Sequence, residues 1–141
     1  MSNSSTARLS FGVAFEEDFE FPWSDRQKYD DGITDWWKEV NNYIQPPELF
    51  TFDTIYNHQS KWLKLNPPPI EIVRSGSYEY SISIIATKTM IVDWGETLEI
   101  TSCIFNEKKV EDDSKIILDF LNKYNVEHED SPKWLLSSYY G

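Results

Sequence analysis

"IEIVRSGSYEYSISIIATKTMIVDW", residues 70 to 94, decides the fold class. β-branched and aromatic side chains alternate there with Ser, Glu and Arg at a period of two, the pattern of strands with one face buried and one lightly covered. Tyr80, Ile82 and Ile84 fall on one side and Ser81 and Ser83 on the other. Turn signals at Ser75-Gly76, near Lys88 and at Trp94-Gly95 divide the stretch, and "TLEITSCIF" (97–105) extends it. The reading is an antiparallel meander of three or four strands.

Upstream, "RLSFGVAF" (8–15) places Leu9, Phe11, Val13 and Phe15 on one side of a further strand, with Gly12 marking a bulge or a close approach of backbone. The acids Glu16, Glu17 and Asp18 and then Pro22 end that alternation near Phe15. "DDGITDWWKEV" (30–40) reads as a helix capped at Asp31 or Thr34, with Ile33, Trp37, Val40 and Ile44 inward, Trp36 at the boundary, and Pro46-Pro47 as the stop. A second helix, capped at Asp53 or Thr54, carries Ile55, Gln59, Trp62 and Leu63 or Leu65 along one side and ends at Pro67 to Pro69.

Downstream, "EDDSKIILDFLNKYN" (111–125) is the clearest helix. Asp113 or Ser114 would cap it, and Ile116, Ile117, Phe120, Leu121 and Tyr124 form a broad apolar stripe. "SPKWLLSSYYG" (131–141) closes the chain as a strand too apolar to be left unpaired. Residues 1–7 read as a disordered tail and residues 8–141 as a single α+β domain. Its order is β-α-α-β-β-β-(β)-α-β, an antiparallel sheet of about five strands with three helices mainly on one face.

With 141 residues, 40 % of them hydrophobic and 16 % aromatic, the chain can bury a core of its own. Its net charge of -11, from 24 acids against 13 bases, decorates a folded body and disfavours direct binding to nucleic acid or to anionic membranes. Cys103 has no partner for a disulfide and reads as an inert core thiol. No apolar leader and no run of about eighteen apolar residues is seen, so a cytoplasmic location is expected, with no membrane partner.

Motifs for chemistry are missing. His58 and His128 are too few for a metal site without carboxylates, and Glu127, Glu129 and Asp130 around His128 read as a solvated acidic turn. Ser137 and Ser138 lack a nucleophile-elbow context, and the five glycines never cluster into a phosphate-binding loop. No cofactor and no catalytic residue are expected.

What remains is the distribution of charge. Residues 16–39 hold nine acids and three bases, a net of -6, and residues 107–130 hold eight and four, a net of -4. If the fold gathers these segments, carboxylates interleaved with rings would present a negative surface with aromatic anchors. The residues placed on that surface are Glu16, Glu17, Asp18, Phe19, Glu20, Phe21, Trp23, Asp30, Asp31, Asp35 and Trp36.

"FEFPW" (19–23), "DWWKEVNNY" (35–43) and the closing "PKWLLSSYYG" (132–141) resemble the corresponding segments of a group of small acidic proteins of tailed phages. The resemblance spans most of the chain on short motifs and brings no catalytic residues. It implies a phage or mobile-element origin, with action in the cytoplasm of the host cell. The expected function is therefore a non-enzymatic inhibitor that docks an acidic, aromatic face on the basic groove of a host defence protein, as a nucleic-acid mimic does. The alternative is a sponge that holds a cyclic or adenine-containing signalling nucleotide. In that reading Trp36, Tyr78, Tyr80 and Trp94 stack on the base and Arg26, Arg74 and Lys88 counter the phosphate.

Overall fold

The computed structural model describes residues 5–76, 81–93, 95–100 and 106–140. The fold is α+β, in the order β1 (Ser5–Phe15), α1 (Ile33–Val40), α2 (Phe52–Leu65), β2 (Glu71–Gly76), β3 (Ser81–Val92), α3 (Glu107–Lys123) and β4 (Lys133–Tyr140). The chain groups into two compact units, one formed by Met1–Phe19 with Pro69–Gly141 and the other by Glu20–Pro68.

The first unit is built on the sheet. β1 pairs antiparallel with β3 on one side and with β4 on the other, and β2 pairs antiparallel with the far edge of β3. The sheet curls until β2 and β4 meet at a single parallel bridge, Gly76 with Tyr139, giving a small closed barrel in the order β1-β3-β2-β4. Side chains close much of that seam. Ser75 Oγ donates to Ser138 O at 2.9 Å, and the Arg8 guanidinium reaches Arg74 O. Val73, Ile84 and Ala86, with Ile82 and Leu135 against them, fill the inner face beside the buried Ser10, whose hydroxyl accepts from Thr89 Oγ1 at 3.2 Å.

Strand count and start differ from the expectation. Among the described residues there are four strands, because the chain does not turn near Lys88: β3 runs through as one strand of 12 residues. A bulge takes the place of the turn. Phe11 pairs with Lys88 but Gly12 with Ala86, which leaves Thr87 as the extra residue. Such an insertion absorbs the lost alternation at Ala86-Thr87-Lys88 without ending the ladder. Residues 96–100 form no strand, and 101–105, with Cys103, lie outside the described residues. β1 begins at Ser5, so Ser5 to Ala7 join the sheet rather than a tail; Ala7 pairs with both Val92 and Ser138.

Gly12 is required at the bulge. A Cβ built there would lie 2.0 Å from Ile85 O, so the two backbones approach more closely than any side chain permits. The outer side of β1 continues as predicted, with Phe11, Val13 and Phe15 buried and Phe11 edge-on to Trp134 at 5.4 Å.

α3 lies against β1 and β3 and buries Ile117, Phe120 and Leu121, whereas Ile116, expected in the same stripe, is 39 % exposed. It starts earlier than expected: Asn106, not Asp113 or Ser114, caps it, accepting from Lys108 N and Lys109 N. Helices were expected to cover one face of the sheet together. α3 is the helix of this unit, while α1 and α2 belong to the other.

The second unit is held by rings. Both Trp36 and Trp37 are buried, at 4 % and 8 % exposure, although adjacent helix positions point about 100° apart. Trp36 escapes the boundary position because Trp23, itself 7 % exposed, packs on it from the preceding loop at 5.0 Å, and Phe21 stacks in turn on Trp23 at 4.9 Å. Trp37, one position on, keeps its ring 6.1 Å from that of Trp36 and donates from Nε1 to Asn66 O, just past the end of α2, at 2.8 Å. α1 stops before the prolines, at Asn41 and the left-handed Asn42 (φ 57), so Ile44 leaves the stripe and is 79 % exposed. Thr51 caps α2, accepting from Thr54 N at 3.2 Å. Between α1 and α2, Tyr43 packs edge-on to Trp62 and its hydroxyl lies 2.7 Å from His58 Nδ1; burial raises its pKa above the ordinary tyrosine value and keeps the hydroxyl protonated.

Two stability measurements check this packing. Gly12→Ala is expected to lower the free energy of unfolding by about 3 kcal/mol, because backbone must shift to admit the methyl group. The urea midpoint should fall with an unchanged slope; a midpoint equal to the parent's would show that the strands do not approach as described. Trp23→Ala is expected to cost about 3 kcal/mol as a core truncation. A loss under about 0.5 kcal/mol would instead mark Trp23 as a surface residue.

Candidate functional site

The first unit holds an open cleft of about 950 Å³ between the end of β1 and the segment that leaves α3. Two features of the chain build it. After Phe15 the strand gives way to a turn in which Phe19 N donates to Glu16 O at 3.1 Å, and this folds the Phe19 ring back on Phe15 at 4.7 Å. On the other side α3 ends at Tyr124, the left-handed Asn125 (φ 56) reverses the chain, and Val126 N returns to Leu121 O at 2.8 Å. That reversal buries Val126 and throws the following residues, Glu127 to Asp130, along the rim.

The floor is apolar and the rim acidic. Val13, Phe15, Leu121 and Val126 lie beneath, all of them buried, with Phe19 half-buried beside them. Glu16 and Asp18 come from the β1 side, and Glu127, Glu129 and Asp130 from the α3 side. Asn122, Asn125 and His128 complete the wall. His128 Nδ1 donates to Val126 O at 3.1 Å, which fixes the ring and leaves Nε2 as its other polar atom. Among the described residues Asp18, Glu127, Glu129 and Asp130 make no salt bridge; the recorded pairs, Lys28 with Glu39 and Lys38 with Asp35, belong to the second unit. Five carboxylates beside low-dielectric rings focus a negative potential over the opening.

The surface expected from sequence is therefore divided. Glu16, Asp18 and Phe19 line the cleft, and Glu17 is exposed on the same turn. The boundary between the units falls after Phe19, so Glu20, Phe21, Trp23, Asp30, Asp31, Asp35 and Trp36 belong to the second unit. There Trp23 and Trp36 are core, and Phe21 is half-buried on Trp23. Glu20, Asp30 and Asp31 are exposed. Asp35 accepts from Asp31 N at 2.8 Å and pairs with Lys38 at 3.2 Å, which gives it a local task at the start of α1. Neither ring can serve as an exposed anchor in this arrangement.

Sequence reasoning left Glu127, Glu129 and Asp130 as a solvated turn and overlooked Asn122 and Asn125. The available signal was Asn125 itself, a residue tolerant of the left-handed region directly after a strong helix, which predicts a reversal. Of the residues named for nucleotide binding, Tyr78, Tyr80 and Trp94 lie outside the described residues. Trp36 is buried, and the exposed Arg26 belongs to the second unit. Arg74 and Lys88 sit on β2 and β3, and neither lines the cleft.

A second, smaller space of about 280 Å³ lies between residues 96–100 and Leu9, Met90, Val92 and Leu136 of the sheet, and is lined mainly by apolar side chains. Among the described residues no group of three or more His, Cys, Asp or Glu side chains is placed to hold a metal ion, and no helix is long and apolar enough to cross a membrane. Comparison of the chain with known protein families, with curated proteins and with solved structures finds no match.

Proposed function

We propose that the protein works by binding rather than by catalysis, and that the acidic cleft of the first unit receives a basic segment or groove of a partner protein. The convergence of Glu16 and Asp18 with Glu127, Glu129 and Asp130 around one ring-floored opening carries this reading, because residues more than a hundred positions apart in the chain supply the two rims. Cationic side chains would pair with the rim while their alkyl stems lie on Phe15 and Phe19. Exposed carboxylates of this kind raise association rate and set partner charge, and the apolar floor adds contact area that survives screening.

In line with the resemblance to small tailed-phage proteins, the proposed partner is a host defence protein whose basic groove ordinarily holds nucleic acid. A rim of carboxylates then stands in for a run of phosphates. The same rim disfavours an anionic nucleotide in this cleft, so docking on a protein is preferred over sequestration of a signalling nucleotide.

An octa-arginine peptide is a direct probe. Its affinity is expected to fall at least tenfold between about 50 and 300 mM salt, as for a contact dominated by screened charge. The variant Glu127→Gln, Glu129→Gln, Asp130→Asn should lose roughly tenfold at the lower salt. A control with the same change in net charge, Glu107→Gln, Glu111→Gln, Asp112→Asn on α3, should lose less than about threefold. Equal losses in the two variants would show that net charge alone binds the peptide and that the cleft is not a site.

A further inference from the structure

The second unit leaves apolar surface uncovered that the acidic cleft does not explain. Phe50, Phe52, Ile44 and Tyr56 are 86 %, 80 %, 79 % and 59 % exposed, and no residue of α2 is fully buried. Ile55, His58 and Trp62, on the side of α2 near Tyr43, are half-buried. About 100° round the axis from that side lie Phe52 and Tyr56, whose rings stack at 6.0 Å and 17°. At about 100° per residue, Phe52, Tyr56 and Leu63 fall within about 40° of one another, and Ser60 lies beside them. The three exposed rings present roughly 450 Å², taking about 200 Å² for a whole aromatic side chain. Phe52 and Tyr56, which stack on one another, give roughly 280 Å² of it, close to the about 300–600 Å² of the largest patch on an ordinary monomer and about a third of the about 800 Å² that each partner gives to a standard interface.

The charges beside this stripe say what fits it. Asp53 in the first turn and Lys64 in the last lie on one flank of the stripe, about 20° apart around the axis and about 16 Å apart along it. Two copies of such a helix, laid antiparallel about a two-fold axis, bring identical flanks together and so place Asp53 of each against Lys64 of the other. In the same arrangement Phe52 and Tyr56 meet the partner's Leu63 and Ser60. A parallel two-fold pair would instead bring opposite flanks together and leave Asp53 about 16 Å in height from the partner's Lys64, so the charge pairs would be lost.

We propose that α2 is a self-association surface, and that two copies of this chain pair through it in antiparallel orientation. The net charge of -11 opposes association of like chains, and salt screens that long-range repulsion more than it weakens the local pairs and the buried rings. Self-association therefore holds or strengthens as salt rises, opposite to the behaviour expected of a basic peptide in the cleft, so the two contacts can be tested apart.

Sedimentation of the full chain over about 5–500 μM, the range in which a modest interface shows, should give a mass rising from 16.6 kDa toward twice that value. Phe52→Glu should weaken the dimer at least about tenfold, since each interface contains the residue twice. Asp53→Lys and Lys64→Asp should each weaken it roughly threefold to tenfold, and the double exchange should restore it to within about threefold of the parent. All three positions are exposed, and circular dichroism checks that each variant keeps its helix content. A mass of 16.6 kDa at every concentration, a dimer indifferent to Phe52→Glu, or a double exchange no better than its singles would overturn the proposal.

Discussion

The sheet depends on the contact between β1 and β3 at Gly12. Where the two strands meet, the position of a Cβ on residue 12 is already occupied by Ile85 O, at 2.0 Å. The extra residue Thr87 enters opposite this point, and a bulge increases the local twist of the ladder. A sheet of only four strands closes when twist is strong. Here the curl brings β2 within reach of β4, yet with one ladder bridge between them the seam relies on Ser75 and Arg8 to engage backbone carbonyls across it. The same bend directs Val13 and Phe15 toward Leu121 and Val126, which sets the floor of the cleft. A single missing side chain thus connects closure of the barrel to the shape of the acidic cleft.

Local chemistry was the legible part of this fold. Gly12 as a close approach, the end of β1 at Phe15, the inward Trp37 and the core of the α3 stripe follow from periodicity and from residue type alone. What escaped the sequence depended on distant partners. Trp36 looks like a boundary residue until Trp23 covers it, and nothing within α1 encodes that cover. The turn expected near Lys88 is a bulge because β1 continues alongside and keeps the ladder paired. α1 ends at Val40, before the prolines that seemed to end it, since the left-handed Asn42 just past its C-cap offers a cheaper stop than a clash with a ring. The candidate site divided in the same way. Glu16, Asp18 and Phe19 could be named from one segment, but their opposite rim required knowing that Asn125 folds the chain back.

The acids of the chain do different work, and counting them by segment hides this. Asp25 accepts from Gln27 N and Lys28 N in a turn, Asp35 holds the start of α1 and pairs with Lys38, and Glu39 pairs with Lys28. Glu107 and Asp53 stand in the first turns of α3 and α2, where the helix dipole favours a negative charge. Each of these gains something locally from being acidic. Three of the nine acids of the first segment are accounted for in this way, and so is Glu107 at the start of the second.

The rim of the cleft is otherwise. Asp18, Glu127, Glu129 and Asp130 neither cap a helix nor, among the described residues, pair with a base, and the fold nevertheless brings them to one opening together with Glu16. Gathering like charges raises the free energy of the folded state, and without a local return only an external cation can offset it. Sites that break the rules of stability without an internal compensation are where function is expected. By that criterion the cleft is a place where negative charge is gathered without internal compensation, while the exposed rings of α2 break a different rule, by leaving apolar surface in water. The two departures call for opposite partners: a basic surface for the first, and for the second a surface as apolar as itself, which a second copy of α2 supplies.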